Sequence, residues 1–410
     1  MKEHRRIAII FWEGYLGVSP SIINALKMFE QAGFEVDVIL KTPPAGYAEI
    51  PTFSSRVRIY QLGQVKDSKE ANLKKLIFAL PLKVVSFIVN LRNFATFPLN
   101  LNKFTKFSED ILSKNEYDLI IGVDTVGLWV ASNYSLKKNI PLIYWSLELT
   151  FMNRGYNPIQ KIFKLYERRR NRLAVGTIIQ DPGRAQCLRK ENLLPADHRF
   201  FFIPNAPSGA AVTAKNDFLY KRLGIEKSRP IILHIGMIAP EFQTDKIVRA
   251  SLDWPLDWAL VFHERTKRSE DHPYIKQLRN AGSSHLFLSL EPVPYEQLDE
   301  LVASGTIGLA FYDPAALGQN VQEVGMASGK LNQYLKCGIP VICSDFPSLR
   351  EVVERHQLGI CISHFQDLKN AIAKILGNYQ RYRSNALQYY SREIEFGSCF
   401  GKFLNFINSN

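Results

Sequence analysis

The sequence predicts an α/β protein with two parallel-sheet domains that face a central cleft, each with helices on both faces of its sheet. Three observations carry this prediction. Short apolar segments alternate with helical segments along the whole chain. A break rich in proline, asparagine and glycine at Phe202–Gly209 divides that alternation into two nearly equal halves. The length of 410 residues also suits two domains that each bury a core.

The first half contains six predicted strands separated by helices. They are Ile7–Phe11, Phe34–Leu40, Val57–Leu62, Leu119–Val123, Leu142–Trp145 and Gly176–Ile179. A helix with apolar spacing from Ile22 to Phe29 follows the first strand and stops at Gly33. Parallel sheets of this kind bind ligands at the carboxyl ends of their strands, so we expect a site at that edge.

The second half repeats the pattern. Its predicted strands are Ile231–Ile235, Trp258–His263, Leu286–Leu290, Ile307–Tyr312, Pro340–Cys343 and Gly359–Ile362. The last twenty residues are rich in tyrosine and phenylalanine, which predicts a terminal helix packed on an apolar surface. We therefore divide the chain into residues 1–207, 208–388 and 389–410, the last packing back on the first domain.

Composition limits the class of protein. With 46% hydrophobic and 22% charged residues, disordered and low-complexity classes are excluded. The five cysteines form neither CxxC pairs nor metal-ligand spacings, so they are expected to be reduced thiols of a cytoplasmic protein, and no metal site is predicted. The first apolar run is too short for a signal peptide, and no window approaches the roughly 18 apolar residues of a membrane span.

The basic charge is concentrated in the first half. Residues 1–208 hold 29 Lys and Arg against 18 Asp and Glu (+11), whereas residues 209–410 hold 22 against 21 (+1). The stretch 72–107 is apolar and aromatic with interspersed lysines and arginines, typical either of a helix on an anionic membrane or of a core helix. The alternatives are thus a peripheral protein at the inner face of the membrane or a basic soluble surface. Nucleic-acid binding has only charge in its favour.

The segment Asn320–Ile342 is the most informative. Ser328 is predicted to cap a helix that ends before Gly338, and Gly329 allows a ligand to approach the backbone closely. The first N–H groups of that helix, its dipole and the Lys330 ammonium together favour a phosphate or diphosphate. A capped helix start does not identify the ligand by itself.

Ser328–Ile342 resembles the donor-binding segment of glycosyltransferases with the GT-B fold, particularly family 4 and its bacterial relatives, over about fifteen residues. The architecture is similar over nearly the whole chain. Further segments are typical of the same family: Gly14–Gly17, Tyr144–Glu148, Gln180–Arg184, Ile203–Ala206, His234–Gly236 and Asp345–Val353.

The resemblance implies two Rossmann-like domains. The first would bind an acceptor and the second a nucleotide-diphosphate sugar, most simply a UDP- or GDP-sugar. The implied activity is transfer of the sugar to a hydroxyl of a glycan, glycolipid or lipid-linked acceptor, as in polysaccharide or glycolipid biosynthesis. The transfer would retain the anomeric configuration and require neither a metal nor a further cofactor. The implied donor-binding residues are Gly236, Glu241, His263, Asn320, Ser328, Gly329, Lys330 and Gln333, and the implied acceptor-binding residues are Gly14, Tyr15 and Gly17.

The chain departs from the family in two places. Many members carry two glutamates eight positions apart, where this chain has Gly325 and, at the ribose position, Gln333. An amide can still bind a hydroxyl but is not a charge-assisted acceptor. The basic residues that often follow Gly236 are also missing, so the diphosphate charge would be met by Lys330 or by the basic residues at 265–268.

Glu148 and Asp124 are the candidate catalytic residues, because each follows a strand of the first domain at the cleft edge. Asp124 could instead cap the next helix, and Asp181 and Arg184 could simply pair with each other. His263 could be a core histidine. Glu167–Arg170 is a solvated helix face or a lipid-facing patch.

Two other functions stay open: a sugar-nucleotide epimerase of the same fold, and a non-catalytic nucleotide-sugar-binding or scaffold protein. A nicotinamide oxidoreductase is excluded, because Phe11–Gly17 does not contain GxGxxG. A glycosidase is not favoured, since no pair of hydrolytic carboxylates is evident.

Overall fold

The structure, a computed structural model, describes residues 5–14, 16–43, 50–63, 82–152 and 158–409. The acceptor-loop residue Tyr15 and the basic residues of 64–81 lie outside this range, as do the side chains of 82–96. Of the basic stretch, the backbone forms one long helix from Leu82 to Leu112. None of the helices in the described ranges is long and apolar enough to cross a membrane.

The first domain is a seven-stranded parallel sheet in the order β3-β2-β1-β4-β5-β6-β7. Its strands are β1 Arg6–Phe11, β2 Glu35–Lys41, β3 Val57–Leu62, β4 Leu119–Val123, β5 Leu142–Trp145, β6 Gly176–Ile179 and β7 Phe200–Phe202. Its helices are α1 Pro20–Gln31, α2 Leu82–Leu112, α3 Asp124–Lys138, α4 Pro158–Asn171 and α5 Pro182–Asn192. The six predicted strands are confirmed, and β7 is an additional edge strand.

The second domain is a six-stranded parallel sheet in the order β10-β9-β8-β11-β12-β13. Its strands are β8 Ile231–Ile235, β9 Ala259–His263, β10 Leu286–Ser289, β11 Ile307–Ala310, β12 Val341–Ser344 and β13 Gly359–Ile362. The helices that follow the first domain are α6 Phe218–Leu223, α7 Thr244–Ala250, α8 Pro273–Asn280, α9 Leu298–Ala303, α10 Pro314–Leu317, α11 Gly329–Lys336, α12 Pro347–Val353, α13 Leu368–Gly377, α14 Tyr379–Tyr389 and α15 Phe396–Ser409. The predicted two-domain α/β class is confirmed.

The strands have apolar residues on both faces because helices cover both sides of each sheet. The predicted strand at Ile307–Tyr312 ends early, at Ala310. The N–H group of Tyr312 donates to the Ser344 side chain (3.0 Å) instead of continuing the ladder. This turns Tyr312 toward the carboxyl edge of the sheet, where the candidate site lies.

The terminal helix α15 belongs to the core of the first domain although it follows the second domain in sequence. Phe400 and Phe403 are fully buried and meet the ring of Phe29 on α1 edge-on, at centroid distances of 5.1 and 6.4 Å. The chain therefore crosses between the domains twice, near residues 203–208 and again before Phe396.

Candidate functional site

The two domains touch where the carboxyl edges of their sheets face each other. Asn205, in the linker, donates to the Ala327 carbonyl (3.2 Å) and accepts at its own carbonyl from the Asn332 amide (3.1 Å). Arg184 of α5 donates to the Glu323 carbonyl (2.9 Å). These contacts bring the first domain next to the start of α11.

The start of α11 has the geometry expected of an anion site. Ser328 caps the helix by accepting from the Leu331 N–H (3.2 Å), and its hydroxyl also contacts the Tyr312 hydroxyl, so the cap is fixed. The first N–H groups of a helix have no partner within it, which leaves those of Gly329 and Lys330 for a ligand. The helix ends at Lys336 with Cys337 as its C-cap, and Gly338 has a left-handed φ of 61°. The predicted cap and stop are both confirmed.

Lys330 is the most unusual side chain of this region. Its ammonium is buried and has no hydrogen-bond partner among the described residues. It lies over the rings of Phe242 and Tyr312, at 4.2 and 5.2 Å from their centroids, and a Cβ on Gly236 would lie 4.0 Å from it. Burial lowers its pKa to about 7, and Arg265 acts in the same direction. The Glu264 charge opposes the shift, but its carboxylate pairs with Arg268, so the Lys330 ammonium remains available for an anionic ligand.

The neighbours of Lys330 have divided roles. Arg265 is exposed and near enough to affect it electrostatically. Arg268 is committed elsewhere, to the buried Glu264 (3.3 Å) and to the Ile238 carbonyl (2.6 Å). Lys267 forms an exposed ion pair with Glu291. Of the basic residues at 265–268, Arg265 is thus the one placed to assist Lys330.

Two further donor-side candidates lie on the approach to this site. Gly236 has a φ of 108°, which only glycine adopts without strain, and its N–H donates to the His263 carbonyl (3.0 Å). Glu241 is partly buried, and one of its carboxylate oxygens has no partner among the described residues. The glycine turn lets a ligand reach the backbone beside Lys330.

Three donor-side candidates are engaged in other contacts. The His263 ring pairs with the Ser289 hydroxyl (2.9 Å), and burial lowers its pKa to about 4, so it is neutral. The Gln333 amide donates to the Asp299 carboxylate (2.6 Å). Asn320 lies within 3.4 Å of the Leu149 carbonyl of the first domain. The structure therefore does not bring His263 and Gln333 together with Lys330 through direct contacts.

Gly325, where the family resemblance implies a glutamate, faces a carboxylate from the other domain. A Cβ on Gly325 would lie 2.6 Å from Asp181 Oδ2, and the same oxygen accepts from the Met326 N–H (3.1 Å). The other oxygen accepts from the Arg184 N–H (2.8 Å) and caps α5. The pairing of Asp181 with the Arg184 side chain that the sequence allowed is not present. Asp181 instead occupies the space that a side chain at 325 would need.

The two catalytic candidates of the first domain lie together. Asp124 has a left-handed φ of 53° and accepts from the N–H groups of Leu147 (2.8 Å) and Glu148 (3.0 Å). Burial raises its pKa to about 8, and the Glu148 charge adds to this. Glu148 keeps contact with solvent but lies between protein walls, and this desolvation raises its pKa against the effect of Arg184. The Asp124 side chain thus stabilises the loop that carries Glu148 and does not cap α3.

The glycine loop after β1 packs tightly against β2. A Cβ on Gly14 would lie 2.7 Å from the Lys41 carbonyl, so the loop requires glycine there. Gly17 lies in the short helical turn Leu16–Val18. Just before Gly14, burial raises the pKa of Glu13, and the charge of Lys41, which is stacked on Trp12 at 3.9 Å, opposes that shift. Glu13 also adds to the raised pKa of Asp124.

Sequence reasoning did not assign Glu13, Arg184 or Asp181 to the site. Their contacts depend on residues 100 or more positions away, as for Asp181 and Met326, and no local pattern reveals such pairs. Within the described ranges, no group of three or more His, Cys, Asp and Glu side chains is placed to hold a metal ion.

Comparisons with known proteins bear on the fold and on the second domain. A family model described as the C-terminal domain of glucosyltransferase 3-like proteins matches residues 290–405, a range that contains Ser328 and Lys330. No curated protein sequence gives a significant match.

Solved structures match the chain over 99% of its length. Sucrose-phosphate synthase from Thermosynechococcus elongatus is 16% identical with a TM-score of 0.71, and 99% of that chain is covered. HepE from Anabaena, solved with UDP-glucose, is 15% identical with a TM-score of 0.67, and all of it is covered. The UDP-forming trehalose-phosphate synthase from Burkholderia vietnamiensis is 11% identical with a TM-score of 0.62, also fully covered. At these identities the likeness establishes the fold, which is GT-B.

Proposed function

We propose that this protein is a glycosyltransferase that moves a sugar from a nucleoside-diphosphate sugar to an acceptor hydroxyl. The observation that carries the proposal is the buried Lys330 ammonium, which has no partner among the described residues and lies beside the capped start of α11 and the glycine turn at Gly236. Two N–H groups, a helix dipole and an ammonium converge there, as a diphosphate requires.

The proposed donor is a UDP- or GDP-sugar, bound mainly by the second domain. The match of 290–405 to a glucosyltransferase-like domain and the likeness to a protein solved with UDP-glucose make UDP-glucose the first donor to test. The group that we expect to be transferred is therefore a hexosyl group. Arg265, exposed beside Lys330, would meet the second phosphate charge.

In the reaction, the bond between the anomeric carbon and the diphosphate oxygen breaks, and the acceptor oxygen bonds to that carbon. Negative charge accumulates on the departing diphosphate, and Lys330 with the N–H groups of α11 stabilises it where it forms. The proton of the acceptor hydroxyl passes in the same exchange to an oxygen of the departing diphosphate. We propose that configuration is retained and that no metal is required, both of which the resemblance implies.

The acceptor is proposed to bind at the first domain, beside the loop that follows β5. The Glu148 carboxyl is available there to accept a hydrogen bond from the acceptor hydroxyl, since it keeps solvent contact and its raised pKa makes it a stronger base. Asp124 positions that loop through two backbone N–H groups. The +11 charge of residues 1–208 supports a lipid-linked or membrane-proximal acceptor.

We further propose that Asp181 supplies the carboxylate that relatives carry at position 325. Its Oδ2 lies 2.6 Å from the position that the first carbon of such a side chain would take on Gly325. Because Asp181 belongs to the first domain, this carboxylate reaches the second domain only when the domains are in contact. Departure from the family pattern at Gly325 is thus compatible with an active enzyme.

A thermal-shift panel of UDP-, GDP-, ADP- and dTDP-glucose tests the donor site, with transfer to acceptors assayed for the nucleotide that binds. Lys330→Ala should abolish the shift, and Lys246→Ala, an exposed lysine of the same domain, should not. Donor binding without transfer to any acceptor would favour the non-catalytic alternative, and release of an isomerised sugar nucleotide would favour the epimerase. The absence of any shift would contradict the proposal.

A further inference from the structure

Helix α4 buries charged side chains and exposes apolar ones. Its inward face carries Lys164 and Glu167, which form an ion pair (3.2 Å) with both side chains fully buried. Its outward face carries Ile162 and Leu165, each 50% exposed. A surface helix ordinarily buries its apolar residues and exposes its charged ones, so this reversal requires an explanation.

Further exposed apolar residues lie at the end of α3 and just after α4, and we group them with those of α4 as the α4 face. Its exposed large apolar residues are Leu136, Ile162, Leu165, Tyr166, Leu173 and Val175, six of the eleven such residues found in the described ranges. The ends of α3 and α4 are joined by a hydrogen bond from Arg170 to Asn133 (3.0 Å), which places Leu136 near the end of α4. A cluster of this kind usually marks a site of interaction.

The charged residues exposed on the α4 face are all basic: Lys137, Lys138, Lys161, Arg169 and Arg172. Residues 125–180 contain only two acids, Glu148 in the cleft and the buried Glu167. On the neighbouring α5, Glu191 accepts from the Met152 N–H (3.1 Å). Five exposed positive charges therefore surround the apolar residues without an exposed acid on α3 or α4.

The α4 face is also held rigidly. Trp129 of α3 stacks on Tyr166 with centroids 3.7 Å apart and meets Phe163 at 5.4 Å. The Glu167 carboxylate accepts from Thr150 (2.7 Å) and from Asn192 (3.1 Å). These contacts fix the rotation of α4 about its axis. Its apolar residues are therefore held at the surface.

We infer that the α4 face docks the protein on an anionic lipid surface. Five like charges oppose pairing with a second copy of the same face, whereas anionic headgroups neutralise them. Between the charges, Ile162 and Leu165 can enter the boundary of the acyl chains. The inference does not depend on the donor site; only its consequence, delivery of a membrane-borne acceptor to the first domain, rests on the proposed function.

The test is co-flotation with vesicles of phosphatidylcholine alone or with about one third phosphatidylglycerol. The protein should float only with the anionic vesicles, and less at high salt, because screening shortens the reach of exposed charges. Two variants separate the contributions of charge and of apolar contact. The first combines Lys137→Gln, Lys138→Gln, Arg169→Gln and Arg172→Gln. The second combines Ile162→Ser and Leu165→Ser. We expect the first to lower partitioning by roughly 1,000-fold and the second by about tenfold.

A matched control carries Lys246→Gln, Arg249→Gln, Leu252→Ser and Leu256→Ser, exposed residues of the second domain, and should float like the parent. Nucleotide binding should be unchanged in all three variants, so failure of the donor site is distinguishable from failure of docking. Three outcomes would overturn the inference. They are no flotation of the parent at low salt, release only by Gln substitutions at Lys74, Lys75, Lys83 and Arg92, or a change of oligomeric state caused by the Ile162 and Leu165 substitutions.

Discussion

Burial lowers the pKa of Lys330 to about 7, far below the usual value for lysine, although the Glu264 charge acts in the opposite direction. A bound diphosphate supplies the missing charge and raises that pKa again. Near neutral pH the free protein therefore holds a mixture of charged and uncharged Lys330, whereas the complex holds the charged form. Binding of the donor should consequently take up a proton.

Calorimetry of UDP-glucose binding at pH 8, in buffers of different ionisation enthalpy, checks this. We expect uptake approaching one proton, and affinity that falls by up to about tenfold per pH unit as pH rises above 7. The effect should disappear in Lys330→Met. Binding that is independent of pH between 7 and 9 would show that Lys330 does not meet the diphosphate.

Gln333 gives a second prediction at the scale of one residue. Its amide donates to Asp299, which also pairs with Lys336 (2.6 Å). Gln333→Glu would place two carboxylates in contact, so we expect a loss of about 1–3 kcal/mol in the free energy of unfolding. Chemical denaturation measures it, and adding Asp299→Asn should restore most of the loss. Full stability of the single variant would mean that residue 333 turns toward the cleft, as the ribose assignment requires.

The sequence predicts residue roles well where the partners are near in sequence. The Ser328 cap and the Gly338 stop involve residues within one helix, and both are confirmed. Asp181 and Arg184 act on residues about 140 positions away, so their roles appear only in the folded chain. For Gln333, the family resemblance implies the ribose position, but the sequence could not show that its amide is already hydrogen-bonded to Asp299.

At the scale of elements, the helix α15 packs on residues that are very distant in sequence, since it joins the core of the first domain from the end of the chain. It packs on α1 and on the edge strand β7 through buried aromatic rings, among them Phe400 against Phe29 (5.1 Å) and Phe403 against Phe201 (5.0 Å). The sequence predicts the helix from its aromatic spacing. Strand β7 is a run of only three phenylalanines, none of them fully buried, which is too short for an apolar run alone to identify it as a strand.

Phe400→Ala should therefore destabilise the first domain rather than the second. We expect a cost of about 3–5 kcal/mol, because a fully buried ring is replaced by a cavity. Lys402→Ala, an exposed position of the same helix, is the matched control. Thermal unfolding with and without a nucleotide bound to the second domain measures the effect. An equal stability of both variants would show that α15 is not part of that core.

At the scale of the molecule, the two domains are joined beside the donor site by Asp181, Arg184 and Asn205. Asp181→Ala removes both the cap of α5 and the bond to Met326. We expect a loss of about 1 kcal/mol from the cap and, from the lost domain contact, a larger radius of gyration in solution scattering. Asp313→Ala, which removes a cap of α10 instead, should change stability but not size. The same radius for both variants would contradict a role in domain contact.

The central claim is that a nucleoside-diphosphate sugar binds at the start of α11 through Lys330. The most direct measurement is calorimetric titration of the parent, Lys330→Ala and Lys246→Ala with the sugar nucleotide that the thermal-shift panel selects. Loss of a charge-assisted contact should weaken binding to Lys330→Ala by at least about tenfold, while Lys246→Ala binds like the parent. Equal affinity of all three proteins, with Lys330→Ala folded, would contradict the claim.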